Sequence, residues 1–95
     1  MSSRDAYIQK MKAKLDEWNA DIAQLEAKAD GAEADMKMKY NEKIDALKKQ
    51  REEAAAKLVE LRNASEDAWE DIKVGLESAW DSLGSAMKSA LSKFK

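Results

Sequence analysis

The chain has 95 residues, of which 38% are charged and only 6% aromatic, a balance that excludes a thick globular core. Lysine and arginine total 17 against 19 acidic residues and alternate with them along the chain, so we expect no nucleic-acid partner. Cysteine and histidine are absent, which excludes disulfides, thiol nucleophiles and imidazole groups acting as bases or metal ligands.

Helix-breaking residues are scarce in this chain. There is no proline, and glycine occurs only three times, so few turns interrupt the secondary structure. The rest is mainly Ala, Lys, Glu, Asp, Leu and Met, a mixture typical of coiled coils and extended helices. Disorder is the competing interpretation of so much charge, but the net charge of −2 and the periodic apolar residues argue against it. We predict a single all-α domain over residues 1–95.

No group of residues in the sequence indicates a catalytic, cofactor-binding or metal-binding site. The remaining candidates, carboxylates and lysines, are spread along the chain without a glycine-rich loop or a pocket-forming turn nearby. A helical di-iron site needs paired Glu-x-x-His motifs, which cannot occur without histidine. We therefore predict a protein that is not an enzyme, with no catalytic, cofactor-binding or metal-binding residues.

The N-terminal third carries a heptad pattern. From Ile8 to Met36 the apolar residues alternate between spacings of three and four. A period of 3.5 keeps one seam facing a partner helix and winds the pair left-handed. We predict a coiled-coil segment over 8–36. Its proposed self-association seam consists of Ile8, Met11, Leu15, Trp18, Ile22 and Leu25.

The middle third continues the apolar stripe with a different spacing. Steps of four, four and three from Met36 to Leu47 form a stutter, which locally unwinds a supercoil. Arg51 then interrupts the stripe. Its apolar members are Met36, Tyr40, Ile44, Leu47, Ala54, Leu58 and Leu61.

The C-terminal third is an 11-residue repeat. Eleven residues make almost three helical turns, so large apolar residues return to one face, and a serine-rich face lies opposite. The apolar face consists of Trp69, Ile72, Leu76, Trp80, Leu83, Met87, Leu91 and Phe94. We favour packing of this face on residues 36–61. The alternative is reversible adsorption to a membrane surface, which the bulk and polarity of the two faces would also suit.

Two positions are candidates for turns. At residues 63–65, Asn63 can adopt the left-handed conformation past a helix end, and Ser65 can cap the next helix. A second turn between Asp30 and Gly31 is the open alternative. Against it, the seam stays in phase across Gly31, and one glycine inside a helix costs only about 1 kcal/mol relative to alanine.

We therefore predict one long helix over about 3–62 that turns at 63–65 into an antiparallel helix over about 66–94. Residues 36–61 and 69–94 would then form a hairpin with coiled-coil packing. The heptad segment would be left without a partner in its own chain, which predicts a homo-oligomer, with a dimer favoured. A second turn at Gly31 would instead give a monomeric three-helix bundle, with the seam as its intramolecular core.

The start of the chain also bears on its location. The residues after Met1 become charged at once and include no apolar stretch, so we expect no secretory signal and a cytoplasmic protein. No run approaches the roughly 18 apolar residues of a membrane span.

Four short stretches carry a resemblance to a known group. Residues 7–12 (Tyr-Ile-x-Lys-Met-Lys) and 15–19 (Leu-Asp-Glu-Trp-Asn) are two of them, with 68–73 (Ala-Trp-Glu-Asp-Ile-Lys) and 79–83 (Ala-Trp-Asp-Ser-Leu) near the end. With them the chain resembles small bacterial coiled-coil-domain proteins of unassigned function. The resemblance implies helices and no catalysis, and it brings no site residues.

Overall fold

A computed structural model describes residues 3–93 and places them in three helices. These are α1 (Ser3–Asp30), α2 (Ala34–Arg62) and α3 (Glu66–Lys93). The described residues include no strand, so the predicted all-α class is confirmed. The helices run up, down and up, and their Cα atoms occupy 51 × 21 × 17 Å.

The predicted continuous helix over 3–62 is wrong, and the alternative three-helix bundle is the observed fold. α1 ends at Asp30, and α2 begins at Ala34 after three intervening residues. In a single chain, a straight helix would leave the α1 seam in water, and each buried large apolar side chain is worth roughly 1.5–3 kcal/mol. Breaking the helix gives up only a few backbone hydrogen bonds, each worth about 1 kcal/mol net. The arrangement in which α1 folds back on α2 and α3 is therefore more stable than the straight helix.

The turn at residues 63–65 lies where the sequence predicts it, but its backbone conformation differs from the predicted one. Asn63 has φ −95° and is not left-handed. Its N–H donates to Val59 O at 3.2 Å, and the Ala64 N–H donates to Leu61 O at 3.2 Å. These bonds tighten the end of α2 and satisfy its last carbonyls, which removes the need for a left-handed residue.

The predicted N-cap of α3 is present. The Ala68 N–H donates to the Ser65 hydroxyl oxygen at 3.3 Å, which satisfies one of the unpaired donors of the first turn. The N-cap position of α2 is occupied by Glu33, whose side chain makes no capping bond. The two turns are thus stabilised to different degrees.

The core is apolar throughout the described residues and consists of two clusters. One surrounds Ile22 and Leu25 near the turn at 31–33, and the other surrounds Leu61 and Leu76 near the turn at 63–65. Leu15 and Trp80 pack against both clusters and join them. The middle stripe is inside as predicted, with Ile44, Leu47, Ala54, Leu58 and Leu61 buried.

Polar groups close the edge of this core. The interruption of the stripe, Arg51, is half-buried on α2, and its Nη1 donates to Asn19 Oδ1 on α1 at 3.1 Å. Lys48 Nζ and Glu26 Oε2, 3.5 Å apart, also join these two helices.

Candidate association surface

The α1 seam lies inside the bundle. Four of its members, Ile8, Trp18, Ile22 and Leu25, are buried against the hairpin of α2 and α3. The other two, Met11 and Leu15, are half-buried. Within one chain, the seam therefore faces its own α2 and α3.

The apolar face of α3 also consists of buried and half-buried residues. Its central members Leu76, Leu83 and Met87 are buried, and Trp69, Ile72, Trp80 and Leu91 are half-buried. Phe94 lies outside the described residues. The face packs on α1 as well as on residues 36–61, because the turn at 31–33 returns α1 to the hairpin.

Two aromatic pairs connect α1 with α3. Tyr7 and Trp69 meet edge to face with their ring centroids 5.7 Å apart, and Trp18 and Trp80 lie 4.8 Å apart. Tyr7 and Trp18 are 11 residues apart on α1, as Trp69 and Trp80 are on α3. The parallel helices are therefore in register through residues repeated every three turns.

These bulky pairs hold α1 and α3 apart. The two helices approach each other less closely than either approaches α2. The result is an open groove, here called the α1–α3 groove. Its two clefts, of about 410 and 520 Å³, are lined by Ser3, Arg4, Glu66, Trp69 and Glu70, and by Lys10, Met11, Ala13, Lys14, Glu17 and Trp80.

Cations lie over the aromatic rings along this groove. The Arg4 guanidinium carbon is 5.2 Å from the centre of the Trp69 ring. Lys73 Nζ lies 5.0 Å from the Tyr7 ring and 5.2 Å from the Trp69 ring. Contacts of this kind are worth roughly 0.5–1 kcal/mol at exposed sites. They fasten the start of α1 to the start of α3.

Tyr7 has the clearest electrostatic perturbation among the described residues. Burial, and to a lesser degree the nearby charge of Glu77, raises the pKa of the Tyr7 hydroxyl above its ordinary value of 10.0. Among residues 3–93, neither this hydroxyl oxygen nor the adjacent Trp69 Nε1 has a hydrogen-bond partner. Both atoms are buried where the two rings meet between α1 and α3.

Sequence reasoning placed Trp18 in the seam and Trp69 and Trp80 on the apolar face, but it predicted neither the Tyr7–Trp69 pair nor the Trp18–Trp80 pair. The missed signal is the 11-residue spacing on α1, which matches the repeat on α3 and could have been read from the sequence. The heptad seam begins at Ile8 and leaves out Tyr7, so the 11-residue spacing of Tyr7 and Trp18 was not compared with the repeat on α3.

Neither an acidic cluster suited to a metal ion nor a membrane-spanning helix is found in the part of the chain that the structure describes. No group of three or more acidic residues in residues 3–93 is arranged to hold a metal ion. None of the three helices is long and apolar enough to cross a membrane. Comparison of the chain with protein-family models, curated proteins and solved structures found no match.

Proposed function

We propose that this chain is a non-enzymatic structural protein that associates with a second copy of itself through its N-terminal seam. One observation carries the proposal. Met11 and Leu15, the two seam residues that the bundle leaves half-buried, lie on α1 where it meets Trp80. An apolar strip along parallel helices is a surface that a further helix can cover.

The charges along the α1–α3 groove favour a second copy as the occupant. Lys10, Lys14 and Glu17 line one cleft, and Arg4 and Glu70 line the other. In a two-fold dimer each surface patch meets the same patch of the partner, so a patch with both signs can pair with itself. A nucleic acid or an anionic membrane would be better matched by a single sign.

The test is the mass of the chain in solution. We expect light scattering to give twice 10.7 kDa at high concentration, with dissociation on dilution. Met11→Lys places a charge in the groove and should shift the protein to monomer at every concentration. Met38→Lys is the matched control, because the Met38 side chain is 69% exposed on α2, outside the groove.

The outcome also separates folding from association. Melting curves followed by circular dichroism should stay cooperative for both lysine variants, so that a change in mass is not a result of unfolding. A native protein that stays at 10.7 kDa at all concentrations would contradict the proposal. So would an equal effect of the two lysine variants.

Adsorption to a lipid surface through residues 69–94 is the second candidate. It is favoured by Trp69, Trp80 and Leu91, which remain half-buried along one side of α3. It is the weaker candidate, because Leu76 and Leu83 are fully buried and would reach lipid only if the bundle opened. The cytoplasmic location and the absence of catalysis stay predictions.

A further inference from the structure

We propose that two copies associate by exchanging α1, with the turn at 31–33 straightening so that α1 and α2 become one helix. Each α1 then packs on the α2–α3 hairpin of the other copy. This inference rests on the proposed self-association. It differs from a contact between two closed bundles in its surface, because the seam of one copy packs on the α2–α3 hairpin of the other instead of one α1–α3 groove meeting another.

Neither a left-handed residue nor a side-chain cap fixes the turn at 31–33. Gly31 does not use a positive φ. A Cβ added there would meet only backbone oxygens of Lys28 and Ala27, at 3.8 and 4.0 Å, which is ordinary contact. Glu33 makes no side-chain cap, and Ala32 is a strong helix former. The three residues are as compatible with a helix as with a turn.

The turn at 63–65 differs in its side-chain cap, although both turns close the preceding helix with a backbone bond, which at 31–33 runs from the Ala32 N–H to Ala29 O at 3.1 Å. Ser65 caps α3 through its hydroxyl oxygen. Asn63 and Ala64 donate to the last carbonyls of α2. The α2–α3 hairpin therefore stays within one chain, and the turn at 31–33 is the hinge.

The apolar pattern continues through the hinge. Leu25, Ala29, Ala32 and Met36 keep alternating steps of four, three and four, so a straightened helix would present one uninterrupted stripe. Such a helix would span residues 3–62, about 90 Å at 1.5 Å per residue. A short connection whose residues suit a helix can straighten at little cost, which allows an element to be exchanged between copies.

The only occupant that fits the vacated surface is a second copy of this chain. A hairpin without its α1 exposes Leu83 and Met87, whose complements are the Trp18 and Ile22 side chains of α1. The polar contacts at the core edge, Glu26 with Lys48 and Asn19 with Arg51, are also specific to α1. Reciprocal exchange restores every one of them between two chains.

Chemical cross-linking tests the exchange directly, because the natural sequence has no cysteine. Glu26→Cys with Lys48→Cys places one thiol on α1 and one on α2 where their native side chains meet. The full chain would be refolded at high concentration and treated with a bismaleimide. Lys57→Cys with Gly75→Cys is the matched control within the hairpin, where the Lys57 Nζ lies 3.9 Å from a Cβ added at Gly75.

We expect the first pair to give a covalent dimer on a denaturing gel and the control pair to give a cross-linked monomer. A dimeric mass with both pairs cross-linked only within one chain would overturn the exchange and leave the proposed self-association standing. A monomeric mass at every concentration, with both pairs cross-linked within one chain, would overturn both.

A hinge variant provides a second measurement. Gly31→Ala should raise the association constant by up to about 30-fold, because each of two straightened hinges favours alanine by up to about fivefold. Gly75→Ala is the control, since Gly75 is inside α3 in either form. An unchanged association constant for Gly31→Ala, or an equal increase for both variants, would contradict the hinge.

Discussion

The indole rings of Trp18 and Trp80 lie 4.8 Å apart between centroids, with their planes inclined by 49°. Trp18 belongs to the heptad seam and is 4% exposed, whereas Trp80 belongs to the 11-residue repeat and is half-buried. The pair joins the two sequence patterns, and Trp80 also lines the α1–α3 groove.

A double-mutant cycle should detect this pair. Trp18→Leu and Trp80→Leu remove the rings while keeping apolar volume. We expect their effects on the free energy of unfolding to be coupled by about 0.5–1.5 kcal/mol, the value typical of aromatic pairs. Trp18→Leu with Trp69→Leu is the control cycle, and it should be additive because those rings are separated by three turns. Additivity in both cycles would mean that the stacking contributes nothing.

The seam should behave as a core in stability measurements. Ile22→Ala removes a side chain that is 1% exposed, and such a truncation typically costs about 2–5 kcal/mol. Leu15→Ala should cost less, because Leu15 is only half-buried. Val74→Ala, at a position 66% exposed, should change the free energy of unfolding by less than about 0.5 kcal/mol. Urea titrations of the three variants would check this order.

The two helix N-termini should respond to mutation with opposite signs. Ser65→Ala removes the hydroxyl that caps Ala68 and should lower the free energy of unfolding by about 1 kcal/mol. Glu33→Ser supplies a capping hydroxyl where the native side chain makes no such bond, so the free energy should rise by a similar amount. Thermal melts of the monomeric protein give both values. A destabilised Glu33→Ser variant would show that α2 does not begin at Ala34.

Alkaline titration should show the burial of Tyr7. In a Tyr40→Phe variant the remaining phenol should ionise with a pKa above 10.0, mainly because burial disfavours the phenolate and secondarily because Glu77 repels it. Ultraviolet absorbance measures that ionisation. Glu77→Gln should bring the pKa only part of the way back, and a pKa at or below 10.0 in the folded protein would contradict the packing of Tyr7.

The same group links stability to pH. Because the folded state holds the Tyr7 proton more tightly, its stabilising contribution is fully present below pH 10 and is lost as the pH rises through the folded pKa. Tyr7→Phe should remove this part of the alkaline loss of stability. Its free energy of unfolding should therefore fall less steeply above pH 10 than that of the native protein.

Vesicles separate the two proposed functions. In a Trp18→Phe background the remaining emitters are Trp69 and Trp80, on the side of α3 that faces α1. We expect no change in emission when vesicles of anionic lipid are added at physiological salt, because the closed bundle keeps Leu76 and Leu83 inside. A saturable blue shift, larger for small and strongly curved vesicles, would favour lipid adsorption instead.

Several features of the fold follow from the sequence alone. The helical class follows from the strong helix formers and the absence of proline. The turn at 63–65 follows from the ability of Ser65 to cap a helix ahead of Glu66. The inward faces also follow, since Ile22, Leu47 and Leu83 occupy periodic positions and are buried. These features depend on local preference and on spacing along one helix, and both are properties of neighbouring residues.

The number of helices is decided by tertiary packing. The residues around Gly31 suit a helix or a turn about equally, so the local terms nearly cancel. What breaks the helix is the burial of Trp18, Ile22 and Leu25 against residues of α2 and α3, which are distant in the sequence. The register of Tyr7 with Trp69 likewise exists only once α1 has returned to α3. A hydrophobic seam fixes which face is covered, but tertiary packing selects the helix that covers it, because apolar burial is non-directional and carries no information about the partner.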